Sequence, residues 1–221
     1  MWVLAGAALG LLAFLADALD DVPRAVATAV TSSGLAWGLA AFLAGRSTAG
    51  RRAAVVRATG TLVSATLVYY LLVVFVSRRW SGGTLEDGSS ADMHGLRSVA
   101  LMTAVWLAGS LVAGPLLGLL GHAVRTGSPR WAAGAAGVAC GLLSAEGWAG
   151  VAPWRLPLDE PFYQAVAAAT AVRIVLPFAV LGWLATRHRL WTAWPVLAGA
   201  AVAAGAGGAV LWRVLLASVN A

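Results

Sequence analysis

Two ionisable residues, Glu146 and Arg173, stand inside long runs of Ala, Gly, Val and Leu, and Asp17 and Arg213 lie near the ends of two others. A charge inside an apolar helix costs roughly 2.5–3.5 kcal/mol at the helix centre on insertion scales, so such groups face a protein interior and either pair or do chemistry. A buried acid kept protonated can protonate an alkene or epoxide, and a buried arginine can neutralise a carboxylate or hold an anion. Glu146 and Asp17 are the candidate proton donors, in that order. Arg173 is the candidate ligand for an anion or substrate. The alternative is that Glu146–Arg173 and Asp17–Arg213 are simply paired charges.

Aromatic residues supply the second set. There are 11 Trp against 3 Tyr and 5 Phe. Trp2, Trp80, Trp131, Trp154, Trp191 and Trp194 border polar connections, as an interfacial aromatic belt requires. Trp37, Trp106 and Trp183 lie inside apolar runs, and Trp148 is two residues from Glu146. Trp37, Trp106, Trp148, Tyr69, Tyr70 and Ser33 are candidate walls of an apolar pocket, whose ring faces either fill a core or stabilise positive charge. Asp159 and Glu160 precede an apolar run that opens with Pro161, so they are either helix caps or further candidate acids. Asp17, Asp20 and Asp21 have the spacing to anchor a helix end or, if one helix carries all three, to hold Mg²⁺.

Other chemistries find no residues. The 15 basic residues are all Arg, which excludes a lysine Schiff base. His94, His122 and His188 fall in different connections, Cys140 is the single cysteine, and no zinc spacing, nucleophile elbow or phosphate loop is present. No metal or other cofactor is expected.

These side chains must be positioned by helices. The 221 residues are 60% hydrophobic and 11% charged, against about 25% charge in an average soluble domain, which excludes a water-soluble fold and a disordered chain. The net charge of +6 is spread over short connections, so a nucleic-acid-binding role is excluded too. Seven stretches approach the roughly 20 apolar residues of a membrane span: Trp2–Leu19, Ala25–Ala44, Ala58–Ser77, Val99–Leu120, Trp131–Gly150, Ala165–Leu184 and Pro195–Leu216. The first is read as a span rather than a leader, since nothing basic precedes it before Arg24. The expectation is one all-α domain over residues 1–221, an integral bundle of seven transmembrane helices with a polar outer loop at 78–98.

Orientation follows from the arginines. With the N-terminus inside, the inner connections carry Arg46, Arg51, Arg52, Arg57, Arg125, Arg130, Arg187 and Arg189, and the outer ones Arg24, Arg78, Arg79, Arg97 and Arg155. This bias predicts N-in, C-out in the plasma membrane. Asp20, Asp21, Glu86, Asp87, Asp92, Asp159 and Glu160 all fall in outer connections. Three inward-running helices also end alike, in Gly38–Arg46, Gly118–Arg125 and Gly182–Arg187, a pattern that an internal repeat or plain Ala/Gly/Leu composition would produce.

Pro157-Leu158-Asp159-Glu160, followed by Pro161-Phe162-Tyr163, resembles the Pro-x-Glu-Glu element of the bacterial membrane lycopene cyclases, with Asp in place of the first Glu. In size, span number and embedded acids the chain is also similar to the small bacterial, actinobacterial-type membrane-bound terpene cyclases. The resemblance implies an acid-initiated, cofactor-free cyclase acting on a prenylated meroterpenoid or indole-terpenoid. It also implies a hydrophobic small-molecule substrate reached through the membrane lipids. The competing expectation is a small transporter or substrate-binding membrane subunit for an anionic or lipid-like ligand, with Arg173 as its anchor. The sequence is silent on oligomeric state.

Overall fold

The computed structural model describes residues 1–151 and 160–219. Among them the chain forms eight α-helices and no strand: α1 (Trp2–Ala16), α2 (Asp21–Thr31), α3 (Gly34–Arg46), α4 (Arg51–Leu72), α5 (Asp92–Thr126), α6 (Pro129–Gly150), α7 (Pro161–Arg187) and α8 (Trp194–Val219). Local chemistry sets several ends. Pro129 and Pro161 sit in the first turns of α6 and α7, where the N–H that proline lacks would be unpaired anyway. The π-turn Val73–Ser77 extends α4 and stops at Arg78, whose φ of 48° is left-handed.

Three boundaries differ from the sequence reading. The expected span Ala25–Ala44 is cut at Ser32–Ser33 into α2 and α3. The first helix ends at Ala16, and Asp21, at φ 48°, begins α2, so Asp17, Asp20 and Asp21 do not share one helical face. The fourth span lengthens to 35 residues, about 52 Å, and takes in residues 92–98 of the expected polar loop. What remains of that loop is a tight turn. Leu85 N–H donates to the Ser89 carbonyl at 2.8 Å, and Gly82 N–H to Asp92 Oδ1 at 2.8 Å.

The helices form two groups. α1, α3, α4 and α5 pack on one another; α7 and α8 pack on α6, which also meets α5 and α3. The cut second span joins both groups, because α2 leans on α7 while α3 lies against α4 and α5. Small residues let the backbones approach, the usual device where lipid provides no hydrophobic drive between helices. A Cβ on Gly141 would meet the Ala201 carbonyl, and one on Gly137 the Leu197 carbonyl, both across the α6–α8 contact.

Five segments are long and apolar enough to cross a membrane: Asp21–Arg46, Arg51–Ser77, Asp92–Thr126, Pro161–Arg187 and Leu190–Val214. α1 is apolar but shorter. α6 is flanked by other helices, which removes the need for a uniformly apolar surface, and most of its small residues are buried. Outward faces carry exposed Leu11, Phe75, Val112, Val175 and Val202, as lipid contact demands.

At the end where α3 and α7 finish, Arg46 Nη2 donates to His188 Nε2 at 2.7 Å. Burial, then the charges of Arg46 and Arg187, hold His188 below its ordinary 6.5. The unfolded chain therefore takes up this proton at higher pH than the folded one, so stability falls as pH drops below 6.5 and levels off below the folded value. We expect thermal unfolding of detergent-solubilised protein to show that slope and His188→Gln to flatten it. Overpacking the tight contact should cost about 1–3 kcal/mol in Gly141→Val, whereas Gly199→Val, with open space around its Cα, should change the midpoint little.

Candidate functional site

The break in the second span carries its own capping. Ser33 is extended (φ −87°, ψ 161°), its Oγ accepts from Ala36 N–H at 3.3 Å, and it donates to the Ala29 carbonyl at 2.5 Å. Trp37 Nε1 donates to the Thr31 carbonyl at 2.7 Å, satisfying an acceptor at the end of α2. Gly34 N–H, the first of α3, donates to Glu146 Oε2 at 3.0 Å. A carboxylate from α6 thus closes the positive end of α3.

The other oxygen of Glu146 faces Arg173. Its Oε1 lies 3.3 Å from Arg173 Nε, an ion pair without the alignment of a hydrogen bond. About a quarter of each side chain is exposed, 22% for Glu146 and 27% for Arg173.

Two cavities flank the break. One, of about 160 Å³, is lined by Ser32, Ser33, Trp37, Tyr69, Tyr70 and Trp106. The second, of about 270 Å³, shares Gly34, Trp37 and Trp106 with it and adds Glu146, Leu143 and Trp212. Trp37 and Trp106 stand between them with ring centroids 6.3 Å apart. Tyr69 and Tyr70 meet edge to face at 5.1 Å. The Tyr69 hydroxyl donates to Asp17 Oδ2 at 2.7 Å, and Arg79 Nη1 donates to the same oxygen at 2.8 Å. That hydrogen bond raises Arg79 above its ordinary value, despite some desolvation. The Tyr70 hydroxyl has no hydrogen-bond partner among the described residues.

Ser33, Trp37, Tyr69, Tyr70 and Trp106 therefore line the cavities at the break, with Glu146 beside them and Arg173 paired to it. Trp148 does not. Two residues on from Glu146 is about 200° around the helix, and Trp148 instead packs on Phe178 at 6.5 Å in an apolar groove between α7 and α8. Asp17 pairs with Arg79 rather than Arg213, because α1 lies along α4 and Arg213 is exposed on α8. Glu160 is exposed before α7 and makes no side-chain cap. Asp159, with most of the Pro157–Glu160 element, lies outside the described residues. No group of three or more His, Cys, Asp or Glu able to hold a metal occurs among the described residues.

Gly34, Arg79 and Trp212 are site residues that the sequence reading passed over. Ser32-Ser33-Gly34 inside an apolar run is a helix-start signature, and it was the available signal for the break.

Removing the arginine alone should strand the carboxylate. Arg173→Leu is expected to lower the unfolding midpoint, and Glu146→Gln in the same chain to recover much of the loss, since Gln keeps an acceptor for Gly34. A double-mutant cycle should return a coupling of about 1 kcal/mol or more.

Residues 88–217, more than half of the chain, match a family of unknown function, DUF6518. The match includes Trp106, Glu146 and Arg173, while Asp17, Ser33, Trp37 and Tyr69 precede it. No curated protein and no solved structure matches.

Proposed function

The chain belongs to the DUF6518 family, and we propose that it is a membrane-embedded binding protein or carrier for a hydrophobic, lipid-like small molecule, held at the break between α2 and α3. We place α1, the paired α2 and α3, α4, α5, α6, α7 and α8 as seven spans in the plasma membrane, N-terminus inside and C-terminus outside. The observation that carries the reading is the break itself. Non-helical backbone at membrane depth persists where protein buries it or where it lines a cavity, and broken helices of this kind border substrate sites in carriers. Here the break borders a cavity walled by two tryptophans, two tyrosines and two serine hydroxyls. Such walls suit an apolar body with a hydroxyl or carbonyl head, for which Tyr70 keeps a hydroxyl unpaired among the described residues.

The state of the acids favours binding over proton transfer. Both Glu146 oxygens are engaged, one by Gly34 N–H and one by Arg173, and Asp17 faces two donors. Glu160 is open to water. An acid that starts carbocation chemistry must hold its proton and present it to an alkene, which an ion-paired carboxylate does poorly.

A second reading, the acid-initiated terpenoid cyclase, is favoured by the aromatic faces of Trp37 and Trp106 beside Glu146. They would stabilise a carbocation formed if substrate displaced Arg173 and Glu146, having taken a proton from water, passed it to the substrate alkene and recovered a proton when the cation collapsed.

One panel separates the readings. Purified protein is incubated in D₂O with farnesylated and geranylgeranylated alcohols, phenols and indoles, following unfolding temperature and product mass. The binding reading expects saturable stabilisation by some members, about 2.7 kcal/mol at a hundredfold excess over Kd, without conversion. Trp37→Ala or Tyr70→Phe should weaken it about tenfold. A deuterium-labelled isomer lost in Glu146→Gln would establish the cyclase instead. Neither stabilisation nor conversion across the panel would overturn both.

A further inference from the structure

At the opposite end of α3 from the break, three guanidinium groups gather without a carboxylate among them. Arg46 closes α3, Arg125 lies in the last turn of α5, and Arg187 closes α7. They are the terminal residues of the three similar segments Gly38–Arg46, Gly118–Arg125 and Gly182–Arg187. Arg125 Nη1 reaches the Arg46 carbonyl at 3.4 Å. The Arg46 and Arg187 guanidinium carbons lie 5.4 and 5.9 Å from the centre of the same Trp183 ring. His188 accepts from Arg46 Nη2, which fixes the direction of that guanidinium.

Among the described residues no acid pairs with this charge. The ion pairs among the described residues are Asp17–Arg79 and Glu146–Arg173. Residues 46–51, 125–130 and 187–194 contain no Asp or Glu. Arg46 Nε is buried without a hydrogen-bond partner, and so is Nδ1 of His122, one turn before Arg125 on α5.

A general excess of arginine on one membrane face accounts for the exposed Arg51 and Arg52. It does not account for two guanidinium groups held over one indole, one of them with a buried donor unspent. Guanidinium forks grouped at one end of a bundle match the oxygens of a phosphate, which accepts several charge-assisted hydrogen bonds at once. We propose that Arg46, Arg125 and Arg187 form a binding site for a phosphate group, carried by an anionic phospholipid headgroup or free in solution. The site is separate from the cavities at the break and stands whether or not the proposed carrier function does.

The test uses the full chain in nanodiscs, with unfolding temperature as the readout. One arm compares discs of phosphatidylcholine with discs that also contain phosphatidylglycerol. The other titrates inorganic phosphate into phosphatidylcholine discs, against chloride at matched ionic strength. The proposal expects saturable stabilisation in at least one arm, the first identifying a lipid source and the second a soluble one. Arg187→Gln and Arg46→Gln should each weaken half-saturation by about tenfold or more, whereas the double variant Arg51→Gln/Arg52→Gln should retain it. If Arg46→Gln fails to fold, the exposed Arg187 carries the comparison. The proposal is overturned if neither arm stabilises the protein. It is equally overturned if the Arg51/Arg52 variant loses the effect as fully as the Arg187 variant, since that would mark diffuse surface charge.

Discussion

The rest of the site depends on one carboxylate. Glu146 reaches from α6 to the first N–H of α3 with one oxygen and to Arg173 of α7 with the other, so three helices meet at a single side chain. Each contact makes the others affordable. A carboxylate inside an apolar bundle needs a counter-charge, a helix start inside it needs an acceptor, and an arginine there needs an anion. Ser33 and Trp37 complete the arrangement by satisfying backbone groups on either side of the break.

That break also sets the architecture. A continuous helix from residue 21 to 46 would have to follow one neighbour. Cut at Ser32–Ser33, it follows two, with α2 on α7 and α3 on α4 and α5. The space left between these directions is where Trp37, Trp106, Tyr69 and Tyr70 come together. The aromatic cavity is thus a by-product of satisfying polar backbone, and its walls come from α3, α4 and α5.

Much of this was readable from the residues. Hydropathy alone marks the helical class and most spans, and counting depth along each span placed Ser33, Tyr69, Tyr70 and Trp106 near one level. The Glu146–Arg173 pair follows from the cost of isolated charge. What failed did so for geometric reasons. Trp148 is near Glu146 in sequence, but two residues along a helix lead to the far side. Asp17 and Arg213 both lie near span ends, but partner choice depends on which helices touch, and α1 touches α4. The break itself was masked because an apolar average over Ala25–Ala44 absorbs three polar or flexible residues without falling below that of a span.

The central helix has a consequence for biosynthesis. α6 is buried on most sides by its neighbours and falls outside the segments whose own hydropathy would carry them across a bilayer. A helix of that kind gains little from lipid by itself and much from contact with other helices. Its principal partner, α8, is made after it, with α7 in between. In the seven-span placement proposed above, α6 therefore completes its packing only once the downstream chain is made, and a polypeptide truncated after α6 would lack its principal contact surface.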